Sequence, residues 1–147
     1  MHEVASFVRE VMLEWAALRV RILVPVGRDF SNAVQLVKHY RPQLLLVVTR
    51  RPAPDLARRI RREVRRMGLR PPAVEVVLLK GGTIEEIVRE LRRPTSRVDV
   101  VGVDSDDGAL SAAVTLAAAL QGKRLALLRD GRVEEHGVEK LLSREGE

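Results

Sequence analysis

Five short apolar runs, rich in β-branched residues and separated by stretches of helical periodicity, constrain this chain more than any other feature. They cover 20–26, 44–49, 74–80, 98–104 and 124–128. Each is nearly continuous in hydrophobicity, the pattern of a strand covered on both faces of a parallel sheet. Between them, Ala33, Val34, Val37 and Tyr40 form one helical stripe. Leu56, Ile60, Val64 and Met67 form a second, closed by Gly68 as a C-terminal cap. Thr83 followed by Glu86 reads as a capping box, opening a helix whose apolar face is Ile84, Ile87, Val88 and Leu91. A fourth helix, 109–120, is apolar over most of its surface and is expected to be buried on two sides. Alternation of this kind implies parallel strands joined by right-handed crossovers. Asp130-Gly131, between two further runs, is a two-residue hairpin signal that adds an antiparallel edge strand. The expected fold is α/β: a doubly wound, Rossmann-like, mostly parallel sheet of about six strands.

The 147 residues suit one domain. We divide the chain into an N-terminal amphipathic helix over 1–19, the Rossmann-like domain over 20–136 and a polar tail over 137–147. The first rests on Val4, Phe7, Val8, Val11, Met12 and Trp15 recurring at helical spacing. Cys is absent and His2, His39 and His136 are far apart, so the sequence calls for no metal site, disulfide or cofactor. No apolar run approaches the roughly 20 residues that span a bilayer. Glu3, Arg9, Glu10 and Glu14 interrupt any signal peptide, so a cytoplasmic protein is expected. The net charge of +6 suits an anionic ligand, while abundant Arg and Glu equally suit a heat-adapted organism. With aromatics at only 3%, a base-stacking platform is not expected; contact with a membrane or with duplex DNA is not expected either.

In a doubly wound sheet the ligand lies beyond the carboxyl ends of the strands, where strand order reverses. The loops that meet there are Gly27, Arg28, Asp29, Phe30, Ser31 and Asn32 after the first strand, and Asp104, Ser105, Asp106, Asp107 and Gly108 after the fourth. Thr49 and Arg50, with Arg51, flank them after strand two; Lys80, Gly81, Gly82 and Thr83 do so after strand three. Both central loops lead into helix N-termini, which favour anions. Simpler roles stand beside these. Ser31 or Asn32 can cap a helix, as can Asp106 and Asp107. Gly81-Gly82 can form a tight turn, and Phe30 can fold onto the core. The arginines at 58, 59, 61, 62, 65 and 66 can form a solvated face. No GxGxxG follows the first strand, no GxxxxGK[ST] is present, and no Ser-His-Asp or Cys-His grouping can be assembled.

The stretch ILVPVGRDFSNAVQLVKHYRPQLLLVVTR, 22–50, resembles the opening of CARF domains, the CRISPR-associated Rossmann-fold sensors. VDVVGVDSDDGALSAAVTLAAALQGKRLALL, 98–128, resembles their second signature, a strand, a glycine-containing loop and a small-residue helix. The resemblance implies a homodimer binding cyclic oligoadenylate on its two-fold axis, in type III CRISPR antiviral signalling. First-loop contacts would be Gly27, Arg28, Phe30, Ser31 and Asn32; second-loop contacts would be Ser105, Asp107 and Gly108. Some members also cleave the ring without a metal ion, and Ser31, Arg28 and Lys80 are the candidates for that chemistry. One departure stands out. Where the family loop commonly carries lysine, this chain has Ser105-Asp106-Asp107-Gly108, two carboxylates that repel phosphate unless a cation intervenes. The acidic loop supports an alternative, a Mg²⁺-dependent TOPRIM-like phosphoryl-transfer site on Asp104, Asp106 and Asp107. Its first-strand loop offers only Asp29 where TOPRIM domains require Glu. A nucleotide binder of the universal-stress type ranks last, because the late glycine-rich phosphate loop is missing.

Overall fold

The computed structural model describes residues 20–138, together with Val4, Ala5 and Val8. The N-terminal helix expected around Trp15 and most of the tail lie outside the described residues. Ten elements alternate along the rest. The strands are β1 (Arg21–Pro25), β2 (Leu44–Thr49), β3 (Ala73–Leu78), β4 (Val100–Gly102), β5 (Arg124–Arg129) and β6 (Arg132–His136). The helices are α1 (Ser31–Tyr40), α2 (Leu56–Arg66), α3 (Ile84–Ser96) and α4 (Gly108–Leu120). The sheet order is β3-β2-β1-β4-β5-β6, parallel except for the β5–β6 pair. This is the doubly wound α/β arrangement that the alternating runs imply, and strand order reverses between β1 and β4.

Strand periodicity sorts the core into two layers. Ile22, Val24 and Val26 face α1 and α2, where they meet Leu36, Val37, Ile60 and Val64. Leu23, Leu46 and Val101 face the other way, onto Ile87, Leu91, Leu110 and Val114 of α3 and α4. Buried on both faces, the central strands need hydrophobic residues at successive positions. Two helices end where the sequence provides glycine at positive φ. At Gly68 (φ 77°) and Gly122 (φ 65°), the following N–H bonds back to Val64 O at 3.2 Å and Ala118 O at 2.9 Å. Asp130 (φ 51°) and Gly131 (φ 73°) make the tight turn between β5 and β6.

Three expectations need correction. Helix α4 is covered by the sheet and α3 but open on its outer face: Leu116 is 50% exposed and Leu120 78%. Strand β3 lies at the sheet edge and leaves Val76 and Leu78 partly uncovered, so a continuous apolar run does not here mean two covered faces. Met67 and Ile84 likewise lie at helix ends and are exposed instead of joining their stripes in the core.

Candidate functional site

Pairing β1 beside β4 brings the two expected loops together at the carboxyl edge of the sheet. Asn32, in the first turn of α1, fastens them. Its Nδ2 donates to Pro25 O at 2.8 Å, at the end of β1, and to Asp104 O at 2.7 Å, in the second loop. That geometry places an α1 side chain under the junction, so Asn32 is a tie between loops. Its Oδ1 is buried with no partner among the described residues.

The acidic residues of the second loop do not converge. The Asp104 carboxylate accepts from Leu128 N at 2.7 Å, which anchors the loop to β5. Asp106 accepts from Arg28 N at 3.0 Å through each oxygen, and from Asp29 N at 3.3 Å. Asp107 receives Arg50 through two nitrogens, Nε at 2.8 Å and Nη2 at 2.7 Å, and also caps α4 by accepting from Leu110 N at 3.2 Å. This bidentate pair joins the β2 loop to the start of α4. The Arg50 hydrogen bonds hold the Asp107 carboxyl below its ordinary range against the opposing effect of partial burial, and the Leu110 N–H adds to them. Ser105 Oγ bonds Ser111 Oγ at 2.7 Å and accepts from Asp107 N at 3.1 Å, closing the turn. Among the described residues no group of three His, Asp or Glu side chains is placed to hold a metal ion.

The remaining expected residues divide between those with internal partners and those without. Asp29 accepts from Ser31 N at 2.9 Å and Ser31 Oγ at 3.0 Å, so the serine hydroxyl already has an acceptor. Thr49 is buried, and its Oγ1 accepts from Arg51 N at 3.3 Å. Phe30 packs partly on the core, and the Arg59 guanidinium lies 5.1 Å from its ring centre, within cation–π range. After β3, Glu90 accepts from Lys80 N at 2.9 Å and Gly81 N at 2.8 Å, while Glu86 accepts from Gly82 N at 3.3 Å. Thr83 caps α3 by accepting from Glu86 N at 3.2 Å. Lys80 itself stands at the end of an edge strand two places from β1, about 10 Å away at ordinary strand spacing. The Arg28 side chain is exposed and has neither an ion pair nor a hydrogen bond among the described residues. Gly27 and Gly108 flank it on the two loops.

Several of these partners were missed in the sequence. Glu90 and Glu86 share one face of α3 at a spacing of one turn, a signal that two carboxylates reach back to a glycine loop. Gly102 lies against α1, where an added Cβ would be 2.6 Å from Leu36 Cδ1. Its place as the last residue of a buried strand is the only hint the sequence offers. Arg59 over Phe30 joins positions far apart in the chain and left no local trace.

A concavity of about 1120 Å³ lies at the opposite, amino edge of the sheet, lined by Arg21, Arg41, Gln43, Arg70, Asp99 and three prolines. It contains none of the loops gathered at the strand-order reversal.

No protein-family model matches the sequence, and no curated protein matches it. Similarity emerges in three dimensions. The chain is similar to Can2 from Sulfobacillus thermosulfidooxidans, solved in complex with cyclic tetra-adenylate, with a TM-score of 0.65 and 9% identity. It is also similar to protein VC1899 from Vibrio cholerae, with a TM-score of 0.57 and 6% identity. Each match covers 80% of this chain, which spans only 37% of Can2 and 36% of VC1899. At these identities the likeness is one of fold: this chain shares the architecture of a protein whose solved structure holds a cyclic oligoadenylate.

Proposed function

We propose that this chain is a CARF-type module that binds a cyclic oligoadenylate where the β1 and β4 loops meet, each protomer supplying half of a site completed by a second copy. The observation that carries the reading is the shared fold with Can2, whose structure contains cyclic tetra-adenylate. The site offers what such a ligand needs. Arg28 is a cation with no internal partner among the described residues, and Gly108 has open space where a side chain would stand, which leaves room for close approach of a phosphate or ribose. A role in type III CRISPR antiviral signalling follows from the same reading.

The dimer rests on the exposed stripe of α4. Gly108, Ala112, Leu116 and Leu120 recur every four residues and so share one face, all exposed. This stripe begins at the second loop, so pairing two copies through α4 brings two sets of loops together. A two-fold site of this kind is an open surface on one protomer.

Turnover is expected to be slow. In-line attack of a ribose 2′-hydroxyl on its own phosphate needs alignment and cations to meet the developing charge. Arg50 is held by Asp107 and the Ser31 hydroxyl by Asp29, which leaves Arg28 as the cation nearest the junction, with Lys80 two strands away. The Mg²⁺ reading has less support, since Asp104, Asp106 and Asp107 each turn to a different protein partner.

Calorimetry with cyclic tetra- and hexa-adenylate, with linear tetra-adenylate as control, tests the proposal. We expect a cyclic ligand to bind at half a ring per chain, Arg28→Ala to weaken binding about tenfold or more, and any cleavage to persist in EDTA. No binding of either ring at about 100 μM protein would overturn the reading.

A further inference from the structure

The amide donors best placed to receive a phosphate at the junction already hold an anion, and it belongs to the chain. Asp106 reaches across from the second loop and accepts from Arg28 N and Asp29 N, two successive backbone N–H groups. Consecutive amides converging on one acceptor form a nest of the kind that binds phosphate oxygens. Gly27 permits this approach, because a Cβ at that position would overlap the Asp106 carboxylate. Asp106 is exposed and has no ion-pair partner among the described residues. It therefore differs from Asp107, which the Arg50 guanidinium fixes and α4 needs as a cap.

We propose that Asp106 is an internal surrogate for a ligand phosphate: it fills the Arg28–Asp29 nest in the free chain and must swing out before a phosphodiester can take the same two N–H groups. The identity of the ligand rests on the function proposed above; the surrogate itself rests on the three amide contacts. Two anions cannot share one nest, since an undisplaced carboxylate would face the incoming phosphate at close range. The exchange leaves the scaffold standing, because Asn32 ties the two loops through Pro25 O and Asp104 O, and Arg50–Asp107 ties the third. The consequence is selectivity. A lone phosphate has only the nest with which to repay the displacement, whereas a ligand with several phosphates and bases gains contacts elsewhere. Asp106 thus discriminates against inorganic phosphate and mononucleotides and is a specificity-determining residue.

Two variants and two measurements test this. Backbone amide NMR of wild type, Asp106→Ala and Asp106→Asn is followed during titration with inorganic phosphate, and the same proteins are titrated with cyclic tetra-adenylate by calorimetry. At about 1 mM phosphate the Arg28 and Asp29 amide signals should stay in place in wild type and shift in Asp106→Ala. Asp106→Asn, which keeps the shape and loses the charge, should respond in between. Affinity for the ring should rise about tenfold in Asp106→Ala. Equal phosphate responses in wild type and Asp106→Ala, or ring affinity that stays level or falls in both variants, would overturn the surrogate. Should Asp106→Ala fail to fold, Asp106→Asn carries the same comparison with wild type. If the variant amides take up phosphate while no protein binds the ring, the surrogate stands and the oligoadenylate reading fails.

Discussion

Asp107 is the residue in which the site and the stability of the fold are most tightly joined. It caps α4 and receives Arg50 from the β2 loop, and its folded carboxyl titrates below its ordinary range because of that guanidinium. A carboxyl lowered on folding contributes stability above its unfolded pKa and loses it as pH falls through the folded value. Replacing Arg50 with Leu should therefore cost about 1–3 kcal/mol near neutrality. The difference from wild type should hold down to about pH 4, shrink below it, and vanish once Asp107 is protonated in both proteins. Denaturant unfolding over a pH series checks this, and a difference independent of pH would contradict it. The sequence indicated that the loops after β1 and β4 would meet here, but not the roles of their residues. Asp106-Asp107 reads as two repulsive charges or two caps, and nothing local reveals that one faces backbone amides and the other an arginine 57 positions away. Asn32 likewise reads as a cap, and only the pairing of β1 with β4 makes it a tie between loops.

Among the elements, those set by local chemistry were legible and those set by neighbours were not. Asp130-Gly131 dictates a turn with both residues at positive φ, and Gly68 dictates a helix end; both occur as expected. Strand β3 carries the same apolar run as the central strands, yet edge position leaves part of it uncovered, because hydrophobicity alone does not encode who lies alongside. Helix α4 is the instructive case. Its apolar surface exceeds what the sheet and α3 can cover, and the excess is the face holding Leu116 and Leu120. We propose that a second copy covers that face. Leu116→Lys should raise the dimer dissociation constant about tenfold or more and leave the fold of the protomer intact, since Leu116 is outside the core. Sedimentation at a range of concentrations, with circular dichroism as the control for folding, measures both. A wild-type protein that is monomeric at micromolar concentration would remove α4 as an interface.

For the whole molecule, the sheet order places two glycine-bearing loops side by side, and the carboxylates of the same loops satisfy many of the donors there. This makes the carboxyl edge nearly self-sufficient in hydrogen bonds in the free chain, with Arg28 as its exposed cation. The doubly wound order was readable from the alternation of elements, since right-handed crossovers leave few other topologies. The proposed ligand came only through resemblance, because the loops carry no phosphate motif of their own. In the proposed function one protomer presents half a site and two present a whole one. Native mass spectrometry of the protein with cyclic tetra-adenylate measures that stoichiometry directly. We predict a species of two chains and one ring, growing at the expense of the ring-free dimer as ring is added. One ring on a single chain, or two chains that never take up a ring, would contradict it.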